Sequence, residues 1–183
     1  MPISPRAILD FWFKDTPPER WFIADPAFDA LIRQRFEETW RSAYAGGMQS
    51  WGESMEGALA LILLFDQFPR NMFRGGADAF ASDPLAREVA RAALKRGFDL
   101  EAPAGVRCFF YLPLMHSEVP ADQELCLRLT RERLGEAHFS YPYAVRHLNT
   151  IGRFGRFPAR NTALDRPCTP EETQFLIENP AGF

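Results

Sequence analysis

Ser54-Met-Glu-Gly-Ala-Leu-Ala-Leu-Ile-Leu-Leu-Phe-Asp-Gln-Phe-Pro69 is the stretch whose pattern sets the fold. Met55, Leu59, Ile62, Leu63 and Phe65 recur at helical steps, and from Ala58 to Phe65 the segment is apolar all round, as in a helix buried on every side. A helix at the centre of the core is predicted. Proline disfavours helical geometry in the residue before it, so Pro69 is expected to restrain Phe68 and stop this helix.

The flanking sequence surrounds that helix with others. Ser4-Pro5 opens a short one carrying Ile8, Leu9, Phe11, Trp12 and Phe13 as a docking segment. Asp25-Pro26 starts a second, apolar at Phe28, Leu31, Ile32, Phe36 and Trp40, which Gly46-Gly47 ends. Ser82-Asp83-Pro84 starts a fourth through Leu85, Val89, Ala92 and Leu94, with Gly97 placed as a left-handed cap. Val106 to Met115 is a fifth, kinked or ended by Pro113 near Arg107 to Leu112. Ala121–Leu134 and Tyr141–Phe154 give a sixth and a seventh, and Thr169-Pro170-Glu171-Glu172 caps an eighth that ends near Asn179. No run alternates as a strand would, so the chain is read as all-α, about eight helices in antiparallel hairpins, with residues 1–183 forming one domain.

Composition bounds the function. The 183 residues are 46% hydrophobic and 14% aromatic, with 17 Phe, enough apolar surface to order most of the chain. A formal charge of −3, with both signs interspersed, offers no field for nucleic acid or anionic lipid. Apart from Lys14 and Lys95, the 21 basic residues are all arginine, the side chain suited to forked carboxylate or phosphate contacts. The start lacks a basic and then apolar leader, and the Ala58–Phe65 run is far too short to cross a bilayer, so a cytoplasmic protein is expected. Cys108, Cys126 and Cys168 are far apart and odd in number, which fits reduced thiols.

A short element occurs twice. Phe65-Asp-Gln-Phe68-Pro69-Arg70-Asn71 is echoed by Phe154-Gly-Arg-Phe157-Pro158-Ala-Arg160-Asn161. In both, Phe-x-x-Phe is expected to stack two rings on one helical face before Pro ends the helix and an Arg and Asn follow. Asp66, in the last turn of the most apolar helix, needs a cation there: Arg70, or Arg153, Arg156 or Arg160 if the two elements face each other. Of the three histidines, His138 reads as surface or packing and His147 as a helical core residue. His116 follows the Pro113 kink, with Ser117 and Glu118 beside it as orienting groups. There is no HExxH, CxxC pair, EF-hand loop, GxGxxG, Walker loop or GxSxG, so no metal or cofactor is implied by motif.

Together, Ile8-Leu-Asp-Phe-Trp-Phe13, Trp21-Phe22, Leu63-Leu-Phe-Asp-Gln-Phe-Pro-Arg-Asn71 with Phe73-Arg-Gly75, Tyr111-Leu-Pro-Leu-Met-His-Ser-Glu118, and Phe154-Gly-Arg-Phe-Pro158 with Arg160-Asn161 resemble a bacterial domain-of-unknown-function family. The resemblance spans nearly the whole chain and implies a TPR-like, right-handed array of helical hairpins, without supplying a substrate or catalytic residue. Two positions depart from the family pattern: Ala159 stands where a His is expected, and Asp165 where a Gly is expected in the Leu-x-Arg turn.

Three functions follow from the residues. The first is a binding module whose Arg70, Arg74, Arg153, Arg156 and Arg160, with Asn71 and Asn161, line a groove for an anionic small molecule or a peptide. The second is a small-molecule hydrolase or isomerase using His116 or His147 as acid and base, with Asp66 or Glu118 orienting them. The third is a homo-oligomeric assembly protein that buries its aromatic surface.

Overall fold

The computed structural model describes residues 3–180, and within them the chain is all-α, with no strand. No helix among the described residues is long and apolar enough to cross a membrane. Packing divides the chain into two units. The first runs up to Arg74 and resumes over Asp78–Pro113; the second holds Gly75–Ala77 and the chain from Leu114 onward.

In the first unit α1 (Pro5–Asp10) is capped by the Ser4 hydroxyl and continues as a wider turn to Asp15. Helix α2 (Pro26–Tyr44) starts where Asp25 accepts the amides of Ala27 and Phe28, the local signal that made its boundary readable. Helix α3 (Met55–Ile62) is buried on every side from Gly57 to Ile62, as its all-apolar pattern requires. Trp12, Phe28, Phe36, Phe68, Phe109 and Phe110 are each at most 2% exposed and form the aromatic half of this core, where ring pairs add about 1 kcal/mol each beyond their burial.

Pro69 does not stop the third helix. The chain widens into one π-helical turn over Leu63–Gln67 and resumes as α4 (Phe68–Met72), with Phe68 itself helical at φ −61° and ψ −40°. A proline ring normally clashes with the carbonyl four residues back and leaves it without a donor. Here the wide turn carries the Phe68 amide to the Leu63 carbonyl and makes room for the ring. The Phe65 carbonyl, which Pro69 cannot reach with a hydrogen bond, instead accepts the Ser82 hydroxyl at 2.7 Å. Ser82 in turn accepts the Trp40 indole N–H at 3.0 Å.

Ser82 therefore does not cap α5 (Asp83–Arg96) with its side chain, as the Ser-Asp-Pro sequence suggested; its hydroxyl is fully buried between α2 and the wide turn. Replacing Ser82 by alanine orphans a buried donor and a buried acceptor together. A loss of about 2 kcal/mol is expected, measured as a lower denaturation midpoint. An unchanged midpoint would remove this bridge from the account. At the far end of α5, Gly97 has φ +77°, the left-handed cap expected there. The apolar fifth segment breaks, as Pro113 suggested, into Ala104–Arg107, Cys108–Phe110 and Leu112–Met115.

In the second unit α6 (Pro120–Arg133) packs along α7 (Ser140–Phe154), and α8 (Pro170–Glu178) begins with the complete Thr169–Glu172 capping box. The second copy of the repeated element takes a different shape from the first. Helix α7 ends at Phe154, Gly155 turns left-handed at φ +68°, and Phe157 is extended before the tight turn Pro158–Arg160. The two phenylalanines therefore do not stack on one helical face: Phe154 packs on Phe175 at 5.0 Å and Phe157 on His147 at 5.4 Å. Without a widened turn, proline here follows a helix that has already ended.

Candidate functional site

Two arginines of the repeated element, Arg70 and Arg156, hold the starts of helices. In the first unit, Arg70 forks onto Asp83, in the first turn of α5, at 2.9 and 3.1 Å. It also pairs with fully buried Asp66 at 3.3 Å and donates to the Asp66 carbonyl. Burial works against the Arg70 charge, but Asp66 and Asp83 outweigh it and hold its pKa above the ordinary value. Gln67 donates to the Asp66 carboxylate at 2.6 Å. One residue on, Asn71 donates to Asp29 in the first turn of α2 at 2.8 Å, and Arg74 grips the same carboxylate at 2.7 and 2.8 Å.

The second unit repeats the arrangement with its own residues. Arg156 forks onto Glu172, in the first turn of α8, at 2.6 and 2.8 Å and reaches the Pro167 carbonyl at 2.8 Å. Asn161 approaches the same carboxylate at 3.4 Å and the Cys168 sulfur at 3.3 Å. The Thr169 amide donates to Glu172 at 2.7 Å. The Arg156 hydrogen bonds, against the opposing effect of desolvation, bring the Glu172 pKa down to about 2. Arg153 pairs with Glu171 at 2.8 Å. In both units an asparagine of the repeated element and an arginine, Arg74 in the first and Arg156 in the second, thus share a carboxylate that sits where a helix dipole favours negative charge.

Around His116 the backbone is tied down carbonyl by carbonyl. The buried Gln123 amide of α6 donates to the carbonyls of Leu114, Met115 and Ser117 at 3.2, 2.6 and 2.6 Å. Arg160 takes the His116 carbonyl at 2.7 Å while its guanidinium lies 4.7 Å from the centre of the Phe157 ring. Ser117 and Glu118, read as orienting groups for the imidazole, have other partners. The Ser117 hydroxyl donates to Asp122 at 2.6 Å. Glu118 accepts the Phe157 amide at 2.8 Å and both arms of Arg166 at 2.8 and 3.0 Å. Desolvation raises the Glu118 pKa, yet the Arg166 and Phe157 hydrogen bonds prevail and leave it below the usual value.

Arg166 also donates to the Phe157 carbonyl and to Asn161, each at 3.0 Å. It follows Asp165, whose φ is +51°; this is the left-handed conformation for which the resemblance led one to expect glycine, and aspartate is among the few other residues that adopt it. Arg166 and Gln123 escape a reading of the sequence because they act on backbone carbonyls, which carry no residue-type signal. The positive-φ turn before Arg166 is the one available signal.

These ties set His116 beside His147. Their ring centres are 6.0 Å apart, with planes at 49°. His147, on α7 and 4% exposed, has its Nδ1 2.8 Å from the Tyr143 carbonyl, so Nδ1 carries the proton and Nε2 is the basic nitrogen of the neutral ring. Phe157 covers His147 edge-on. His138 stands apart as a packing group: its Nδ1 accepts the Ser140 amide at 3.2 Å, its ring lies on Phe139, and burial lowers its pKa. Asp66 belongs to the first unit, and Glu118 to the second with both histidines. Among the described residues no group of three or more His, Cys, Asp or Glu side chains is placed to hold a metal ion.

A family model described as a bacterial protein of unknown function (DUF924) matches residues 8–180. A solved structure of a protein of unknown function from Agrobacterium tumefaciens is 42% identical in sequence, with a TM-score of 0.89, covering 96% of this chain and 97% of that one. No curated protein matches.

Proposed function

The chain belongs to the bacterial family of unknown function DUF924, and from that starting point we propose that it is a small-molecule hydrolase or isomerase working by acid–base chemistry at the His116–His147 pair. The observation that carries the reading is the approach of two histidines, distant in sequence, to 6.0 Å between ring centres. His147, held by Nδ1 on the Tyr143 carbonyl, is the general base. His116, half-buried, is the acid that the substrate meets. Glu118 and Arg166 serve by fixing the segment that carries His116, and Arg160 by holding its carbonyl.

A binding module built on Arg70, Arg74, Arg153, Arg156 and Arg160, with Asn71 and Asn161, has less support. Each of these side chains already bonds to a carboxylate or carbonyl of its own unit. A ligand anion would have to compete with those bonds.

Imidazole titration followed by NMR tests the pairing. Two imidazolium charges about 6 Å apart disfavour one another, so of the variants His147→Gln and His116→Gln, the one that removes the first imidazole to take a proton should raise the apparent pKa of the remaining one by about 0.5 unit or more. Titrations that ignore the substitution in both variants would overturn the pair. For any ester, amide, lactone or isomerisable carbonyl compound that the wild type turns over, either variant should lose about 100-fold or more in kcat while remaining folded.

A further inference from the structure

The first unit also contains a cavity of about 300 Å³, separate from the residues of the proposed reaction. Leu61 and Phe65, both buried, form its floor, Leu85 and Val89 of α5 its wall, and the exposed Tyr44 and Glu88 its rim. The volume is at the lower end of small-molecule sites and suits a fused ring pair with a short arm. The pocket is also stiff. Its outer side is the turn Gln49–Glu53, and that turn lies so close on α3 that a Cβ at Gly57 would stand 2.1 Å from the Trp51 carbonyl oxygen. A wall held this way needs little ordering when a ligand enters.

The charge on the side chains that line the cavity has one sign. Among the described residues that line it, Glu88 is the one carboxylate and none is basic. Ala43 and Tyr44 bring in the C-terminal end of α2, where the helix dipole is negative. Arg96 donates to the Gly52 carbonyl at 3.2 Å and lies over Phe98, without lining the space. We infer that this cavity is a second ligand site, for an apolar ring system bearing a protonated amine, with the ring on Leu61 and Phe65 and the amine at Glu88.

The test uses the full chain and three probes of one shape: naphthylmethylamine, naphthylmethanol and naphthoate. The amine should bind saturably at one site per chain and more tightly than the alcohol, with naphthoate the weakest. Glu88→Gln should weaken the amine by roughly threefold to tenfold and leave the alcohol unchanged, as expected for a charge contact near solvent. Ala92, exposed on α5, lines the cavity, so Ala92→Trp should take up its space and abolish binding of amine and alcohol without lowering the unfolding midpoint. Naphthoate binding as tightly as the amine, amine binding that survives Ala92→Trp, or no saturable binding at millimolar probe would each overturn the site. None of these outcomes bears on the histidine pair, which lies in the other unit.

Discussion

Gly57→Ala is expected to destabilise the protein by about 3 kcal/mol or more, at or above the upper end of the usual cost of overpacking, because the backbone it meets cannot step aside. The added Cβ would lie 2.1 Å from the Trp51 carbonyl oxygen, 2.8 Å from the Trp51 carbonyl carbon and 2.9 Å from the Ser54 hydroxyl that caps α3. Two of these neighbours are backbone, so relief requires moving the Gln49–Glu53 turn off the core helix or unwinding the first turn of α3. The same replacement at Gly152 should act in the opposite direction. Gly152 lies within α7, is exposed and has nothing within 4 Å of where a methyl group would stand, so alanine there gains about 0.5–1 kcal/mol of helix propensity. Urea denaturation of both variants decides it: a Gly57→Ala midpoint equal to that of the wild type would mean that turn and helix are not packed as described.

The second large effect is expected at Glu172. Its carboxylate is 2% exposed and accepts from Arg156, Asn161 and the Thr169 amide. Truncation to alanine removes a cap and leaves a guanidinium and two amides to find new partners, at a cost of about 3 kcal/mol. The same group gives the protein an acid limit. Its folded pKa, about 2, lies below the ordinary 4.5, so its stabilisation is fully present above the unfolded value and lost as pH falls from there towards the folded one. Denaturant midpoints of wild type and Glu172→Ala should therefore differ most near neutrality and converge below about pH 4. A gap that stays constant down to acid pH would show that the carboxylate's charge is not what holds the start of α8.

Local signals carry most of the fold into the sequence. The Asp25 cap, the Gly97 turn and the Thr169–Glu172 box each depend on residues within one turn of one another, and each marks a real boundary. Pro69 misleads because its effect is decided from outside the helix, by a serine that local pattern places as the cap of α5. The family resemblance follows from scattered motifs and holds over residues 8–180, and the left-handed Asp165 gives a physical reason for the glycine expected there.

The site is less legible. His116 and His147 are recognisable as chemistry-bearing residues, but sequence separation carries no distance, and the ties that bring them together run through Gln123, Arg160 and Arg166 to backbone carbonyls. The arginines stand out by their abundance and suggest a groove. Their partners are visible too, as acidic residues beside the helix-starting prolines Pro26, Pro84 and Pro170, and weighing those first-turn carboxylates against the arginines would have suggested clamps.

The Trp40–Ser82–Phe65 bridge has a consequence for how opening of the first unit can be observed. The indole proton of Trp40 is held by a hydroxyl that is itself anchored to the wide turn, and neither side chain offers water an approach while α2, α3 and α5 stay together. Its exchange with deuterium then reports the moments when these helices separate. In a chain with four tryptophans, that single resonance is an intrinsic clock for core breathing, read without a label or a substitution.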